Sequence, residues 1–368
     1  MDNLVFSNMF HRPARTIVSV LGIALGVVLI VFTIGLTEGT LRERASREGN
    51  VGAEIMFRAS GTKGMMSGSE SFRLSVSEAP EIAKVEGVKA IVPIGQNTIS
   101  MSDNNTGSRL IDGINFDEYA DMAGLKIMEG RPLGSSGDEA IIDTGWQRQR
   151  KAKVGDTVKL YERDFTIIGT YEPAAGARIK IPLAAMQKQL GSEGKCSSFL
   201  ISVKEGYTAD GVAAKIQEAF PKGQVILTRE LEELYMNGFA ALNVFLNVVI
   251  GVAAVISALV VLLTMYTTVT ERTRQIGILK SMGMSPNGIA WIIVQEAMLL
   301  SLLGVIVGVV ATIILAMILT RTTNLQIELS PKIIGLTFVI GLIGGTLGAL
   351  YPAMRAARMD AVEALSYE

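Results

Sequence analysis

Four stretches of this chain carry no charged residue: 16–37, 236–270, 297–320 and 333–354. As helices rising about 1.5 Å per residue, each is long enough to cross a hydrocarbon core of about 30 Å. The first is too long for the apolar core of a signal peptide, and no small-x-small cleavage pattern follows it, so it predicts a retained span. After it come Glu38, Arg42, Glu43, Arg44, Arg47 and Glu48 at helical spacing. That spacing predicts a helix running on into water with i,i+4 ion pairs until Gly49-Asn50 stops it. A helix over residues 16–48 is about 50 Å long, more than one bilayer crossing needs. The second apolar stretch, entered through the acidic RELEELY (229–235), is overlong in the same way and predicts a stalk and span over 229–270. Ser285-Pro286 fits an N-cap and a proline at the first helical position, opening a third span over 286–320, and a fourth follows at 333–354.

Between the first two spans the pattern changes. Residues 49–228 hold short β-like runs separated by turn residues: 54–58, 89–94, 97–102, 109–114, 139–143, 157–161, 165–170, 198–204 and 224–228. Helical pieces fall at 78–86 and 208–219, and TVKLYERDFTIIGT reads as a hairpin turning at Glu162-Arg163-Asp164. The expected fold is therefore four transmembrane α-helices plus a large extracytoplasmic α+β domain inserted between the first and second spans. The Gly/Ser-rich segment 61–71 reads as a loop, with Met65 and Met66 at its tip as a candidate contact for an apolar substrate. In residues 1–15, Leu4, Val5, Phe6, Met9 and Phe10 would share one helical face, opposite Asp2, Asn3, Ser7 and Asn8. That predicts a short helix in the membrane interface.

Composition agrees with a mixed protein: 49% hydrophobic and 19% charged over 368 residues. The net charge of −1 gives no reason to expect a nucleic-acid partner. Lys and Arg orient the spans. Arg12, Arg15, Arg272, Arg274, Lys280, Arg355 and Arg358 flank one side, and only Arg321 and Lys332 lie in the other short loop. The expectation is a cell inner (plasma) membrane protein with both termini, the 271–285 segment and the 355–368 tail in the cytoplasm. Small residues at Gly22 and Gly26, Gly304 and Gly308, and Gly341 and Gly345 are spaced for close helix packing. Glu296, about three turns into the third span, is a candidate intramembrane polar anchor, or else a residue at headgroup level.

Little points to chemistry in this chain. Cys196 has no partner for a disulfide and no metal-site spacing, and His11 stands alone. No GxxxxGK[ST] occurs, so no P-loop nucleotide site is expected. No GxSxG, paired histidines or metal-ligand cluster appears, which predicts a non-enzyme with no cofactor of its own. The charged interruption between the second and third spans is the exception. QIGILKSMG places Ile276, Leu279 and Gly283 on one helical stripe and Ile278 and Met282 on the next. A helix of that kind fits either an interfacial connector or a segment docking in a partner's groove.

The chain resembles the MacB/FtsX-type (type VII) permeases of ABC transporters. The matching pieces are HRPARTIVSVLGIALGV, TERTRQIGILKSMGMSPNGIAWIIVQEAMLLSLLGVIVG and YPAMRAARMDAVEAL. Within the external domain GINFDEY, IMEGRP, KVGDTVKL, FTIIGTYE and IPLAAM match as well. The resemblance implies a permease without a fused ATPase domain, paired with a second copy or a paralogue. Beneath the pair sit separate ATPase subunits that bind the ATP and Mg. It identifies Glu271, Arg272, Arg274, Gln275, Ile276, Gly277, Leu279, Lys280 and Gly283 with the coupling helix, although Gln275 and Lys280 stand where Glu and Arg are usual. It divides the external domain into a porter-like part (50–110 and 195–228) and an inserted subdomain (111–190). It implies mechanotransmission: ATP binding moves the coupling helices, and the stalks carry that motion outward. The expected outcome is efflux or extraction of an amphipathic small molecule, peptide or lipid-linked substrate, with a periplasmic adaptor and outer-membrane channel as further partners. FtsX-like signalling to a periplasmic enzyme and lipoprotein release of the LolC/LolE kind are the alternatives.

Overall fold

The computed structural model describes residues 13–60, 72–101, 107–237, 240–322, 326–360 and 364. Of the interfacial helix expected over 1–15, residues 13–15 form the start of the first long helix, while 1–12 and the loop tip at Met65 and Met66 lie outside the described residues. Two compact units divide the chain. One, here the membrane unit, comprises Met1–Gly39, Ala240–Arg321 and Leu325–Glu368; the other, the sheet unit, comprises Thr40–Phe239 with Thr322–Asn324.

In chain order the elements are α1 (Pro13–Gly49), β1 (Ile55–Ala59), β2 (Leu74–Ser75), α2 (Ala79–Ile82), β3 (Val88–Met101), β4 (Gly107–Ile114), α3 (Phe116–Ala123), β5 (Lys126–Gly130), β6 (Glu139–Asp143) and α4 (Thr144–Arg150). They continue with β7 (Thr157–Leu160), β8 (Arg163–Glu172), β9 (Ile179–Pro182), α5 (Leu183–Leu190), β10 (Lys195–Cys196), β11 (Ser198–Val203), α6 (Ala209–Ala219) and β12 (Gly223–Leu227). The last helices are α7 (Leu231–Asn237), α8 (Ala240–Glu271), α9 (Thr273–Ser281), α10 (Pro286–Thr322) and α11 (Pro331–Arg358).

In the membrane unit α1, α8, α10 and α11 are each long and apolar enough to cross a membrane. Small residues set how closely they approach. A β-carbon added at Gly304 or Gly308 would lie 2.6 Å from the Cβ of Ile23 or Val27, so α10 rests directly on α1. One at Gly341 would meet Val305 Cγ2 at 2.5 Å, and one at Gly345 would meet Ser301 Oγ at 1.8 Å, which seats α11 on α10. Gly22 and Gly26 face Val260 and Ser257 of α8 in the same chain, at 2.8 and 2.5 Å by the same measure. Their small surfaces are therefore filled within the protomer. Ser19 Oγ and Thr264 Oγ1 share a hydrogen bond of 2.8 Å across that contact, which satisfies both hydroxyls where lipid could not. Outward faces of these helices carry exposed Val, Ile and Leu, among them Val248, Val252, Val255 and Leu259 on α8.

In the sheet unit ten strands form one mixed sheet, ordered β12-β1-β11-β3-β4-β9-β6-β8-β5, with β7 also paired to β8; β10 and β2 pair separately. Most pairs are antiparallel, and β4–β9 and β6–β8 are parallel. Strand β3 joins the two halves: Val88–Ile94 pair with β11, and Gly95–Met101 pair with β4. Sequence pattern suggested two strands here, broken at Gly95-Gln96. The break is absent because Gly95 serves packing: a β-carbon there would lie 2.6 Å from Phe72 Cζ. The β7–β8 hairpin turns at Tyr161-Glu162, both with positive φ (52° and 61°), one residue earlier than expected. Leu160 pairs with Arg163 across that two-residue loop, the geometry of a type I′ turn without its usual glycine or asparagine. β5 and β9 fall outside the expected strand runs; β9 is only four residues long and ends on Pro182.

Candidate coupling site

Helix α9 is two-faced. Thr273, Ile276 and Gly277 are buried, and Ile276 belongs to the apolar core of the membrane unit together with Val269, Ile289 and Ile293. On the other face Arg274, Gln275, Ile278 and Met282 are exposed, Met282 at 78%. Of the two apolar stripes predicted, the one led by Ile276 is therefore spent internally, and the exposed apolar contacts are Ile278 and Met282. Periodicity located both stripes but could not decide which faced inward. Leu279 is half-buried, and its carbonyl accepts from Met284 N–H at 3.1 Å.

The ends of α9 are fixed. Gly283, at φ +88°, takes the left-handed conformation that stops the helix, and its N–H donates to Lys280 O at 2.9 Å. Ser285 Oγ accepts from Gly288 N–H at 3.2 Å and starts α10 with Pro286 at its first position. Lys280 Nζ donates to the carbonyl of Met359, just past the end of α11. At the other end Arg15 of α1 pairs with Glu271 and donates to Thr268 Oγ1 at 3.1 Å. Arg272 reaches Glu296 of α10 at 3.4 Å, and Glu296 is only 7% exposed. Glu296 is thus an ion-pair partner of the α8–α9 junction. Among the described residues no cluster of three or more His, Cys, Asp or Glu side chains could hold a metal ion.

A second charged knot lies in the sheet unit. Arg47, near the end of α1, donates through Nε to Gly176 O at 2.9 Å, while Gly176 N–H donates back to Arg47 O at 2.7 Å. Arg47 Nη1 also sits 2.6 Å from Asp143 Oδ2, and the other carboxylate oxygen of Asp143 caps α4 by accepting from Trp146 N–H at 2.5 Å. Glu43 pairs with Arg178, and Arg42 reaches Glu232 of α7 at 2.7 Å. Tyr235 OH donates to the buried Glu48 at 2.6 Å. Of the intrahelical pairs expected on this stretch, Arg44–Glu48 is present at 3.7 Å, while Arg42, Glu43 and Arg47 hold other elements. Sequence spacing could not show those partners, which lie 96 to 190 residues away.

The model of the MacB-like periplasmic core domain matches residues 16–219, and that of the FtsX-like permease C-terminal region matches 247–361. An ABC transporter permease of Methanocaldococcus jannaschii is 24% identical over 99% of this chain and 96% of its own length. The ABC transporter permease YknZ of Bacillus subtilis is 25% identical over 99% of this chain and 98% of its length. The macrolide export ATP-binding/permease protein MacB of Acinetobacter baylyi is 23% identical over 97% of this chain, which spans 58% of that longer protein. With both matched regions in one chain around four apolar helices, this multi-pass membrane protein belongs to the MacB/FtsX family of ABC transporter permeases.

Proposed function

We propose that this chain is the transmembrane subunit through which an ATPase partner drives a conformational change in the sheet unit. The observation that carries this reading is the two-faced α9. Its inner face is locked by Ile276, and its ends are tied to α1, α10 and the end of α11, so force on its outer face moves the bundle rather than the helix alone. Its outer face combines a cation with flexible apolar contacts, Arg274, Ile278 and Met282, as a helix docking in a groove requires. The Lys/Arg bias puts α9 and both termini in the cytoplasm of a cell with the sheet unit outside, and no P-loop occurs in this sequence. The ATP and Mg then belong to the partner.

Helix α1 is the transmitting element. It is continuous from Pro13 to Gly49; its early turns pack on α8 and α10, and its last turns, from Thr40, are part of the sheet unit, where Arg47 donates to Gly176 O. On α8, Val244, Val248, Val252, Val255, Leu259 and Leu263 recur every three or four residues and are all exposed. That stripe suits pairing with a second copy or a paralogue. The work done is efflux or extraction of an amphipathic small molecule, peptide or lipid-linked substrate, with an adaptor and outer channel as further partners.

Ile278→Asp with Met282→Asp tests the coupling role. The doubly substituted protein should melt as the wild type does and lose co-purification with its ATPase. Retained co-purification would remove α9 as the docking element.

A further inference from the structure

A cleft of about 350 Å³ opens in the sheet unit between the last turns of α1, helix α4 and the segment before β9. That is within the size range of small-ligand sites, roughly 300–1,000 Å³. Its walls carry four guanidinium groups, Arg44, Arg47, Arg109 and Arg178, against two carboxylates, Glu43 and Glu48. Asp143 behind the wall pairs with Arg47 and lies 3.7 Å from Arg178, so four guanidinium groups stand against three carboxylates and one positive charge is in surplus. Burial first, and then repulsion from Arg150 and Arg178, pushes the pKa of Arg109 below the ordinary guanidinium value. Arg109 also lies over the ring of Trp146, 5.8 Å from its centroid.

The same walls hold unmet hydrogen-bonding capacity. Arg44 Nη2, Arg47 Nη2 and Trp146 Nε1 are buried donors with no partner, and Glu48 Oε2 is a buried acceptor with none. Leaving such a group unpaired in the interior costs stability. Three donors and one acceptor on the walls of one positively charged cleft are a specific chemical request. We propose that this cleft binds a phosphate monoester. Its terminal oxygens accept from the guanidinium groups and the indole, as Arg–phosphate recognition favours. In the monoanion the remaining P–OH donates to Glu48, and with a second pKa near 6 that form is accessible around neutrality. The ester is either a small soluble one or the headgroup of a phosphomonoester lipid. All the lining residues lie within 40–179, so the site does not depend on the ATPase-coupling reading.

Trp146 and Trp291 are the two tryptophans of the chain, and Trp291 is exposed on α10, outside the cleft. Full-length protein carrying Trp291→Phe, in phosphatidylcholine nanodiscs, therefore reports the cleft through Trp146 emission. Glycerol 3-phosphate and inorganic phosphate are titrated in one series, and phosphatidic acid is incorporated in the nanodisc in another. A saturable change with the soluble ester and the lipid identifies the phosphoryl group as what is recognised; a change with the lipid alone identifies a headgroup site. Arg109→Gln should weaken the response about tenfold or more, and Arg109→Lys should restore part of it. Should Arg109→Gln lower the melting temperature, Arg44→Gln takes its place. No saturable change with any of the three ligands overturns the proposal. So does an Arg→Gln variant that melts and titrates like the parent, which leaves the cluster as an ion-pair latch only.

Discussion

Lys180 shows how one side chain can hold a fold together at a cost. It is wholly buried, 2.9 Å from Asp112 Oδ2, and it also donates to Ala177 O at 3.2 Å and Tyr119 OH at 3.3 Å. All three ammonium protons are thereby used, while burial still pushes its pKa down. Asp112 also accepts from Ala177 N–H at 2.7 Å, which shapes the same loop that meets Arg47 at Gly176. Lys180→Met strands the Asp112 carboxylate and should destabilise the sheet unit by about 3–5 kcal/mol. Adding Asp112→Leu removes the stranded charge and should recover much of that loss, as chemical denaturation of the two variants would measure. Cys196 offers a second check. It is wholly buried, and burial, with a smaller push from Glu78, raises its thiol pKa to about 12. The thiolate is negligible near neutral pH, so thiol reagents should label the native protein slowly at pH 7–8 and rapidly once it is denatured.

At the scale of elements, α9 separates a buried packing residue from an exposed one two positions apart. Ile276→Asp puts a carboxylate into the core shared with Val269 and Ile293, so it should lower thermal stability outright. Ile278→Asp, on the exposed face, should leave the melting temperature within a degree or two and act only on partner binding. Comparable melts for both would contradict the inward placement of Ile276. Contact between α1 and α10 is equally exposed to test. Gly308→Leu must displace Val27, whose Cβ already lies where the new side chain begins, so the variant should lose stability in detergent. Both helices read from the sequence by their charge-free length, and the glycine spacing marked the faces that touch. Their partners did not read: Gly22 and Gly26 could equally have served a contact between copies, until Val260 and Ser257 were found against them.

For the whole molecule, the proposed orientation predicts opposite accessibility for two exposed sites. In intact cells a membrane-impermeant thiol reagent should reach Gly137→Cys in the sheet unit and not Ser281→Cys at the end of α9, with the buried Cys196 silent in both. The reverse pattern would invert the topology. The proposed pairing through α8 predicts a disulfide between copies carrying Val255→Cys, formed under mild oxidation in membranes. A homodimer yields it from one chain, and a heterodimer needs the paralogue present.

The sequence by itself determined the class of the protein: four spans, a strand-rich insertion after the first, and a short charged helix between the second and third. Those features follow from local rules of charge-free length, alternation and capping residues, which need no knowledge of distant contacts. Only the tertiary structure decided what each marked residue touches. Arg47 and Asp143 lie 96 positions apart, so no spacing rule joins them; Glu296 required the fold to bring Arg272 to it; and Ile276 and Ile278 differ only in which side of one helix the core covers. The arginine-lined cleft was invisible for the same reason, since Arg44, Arg109, Trp146 and Arg178 come from four separate stretches, and only folding sets their charges against one cavity. The 271–285 stretch stands out by its pattern, and only packing decides which of its faces is exposed.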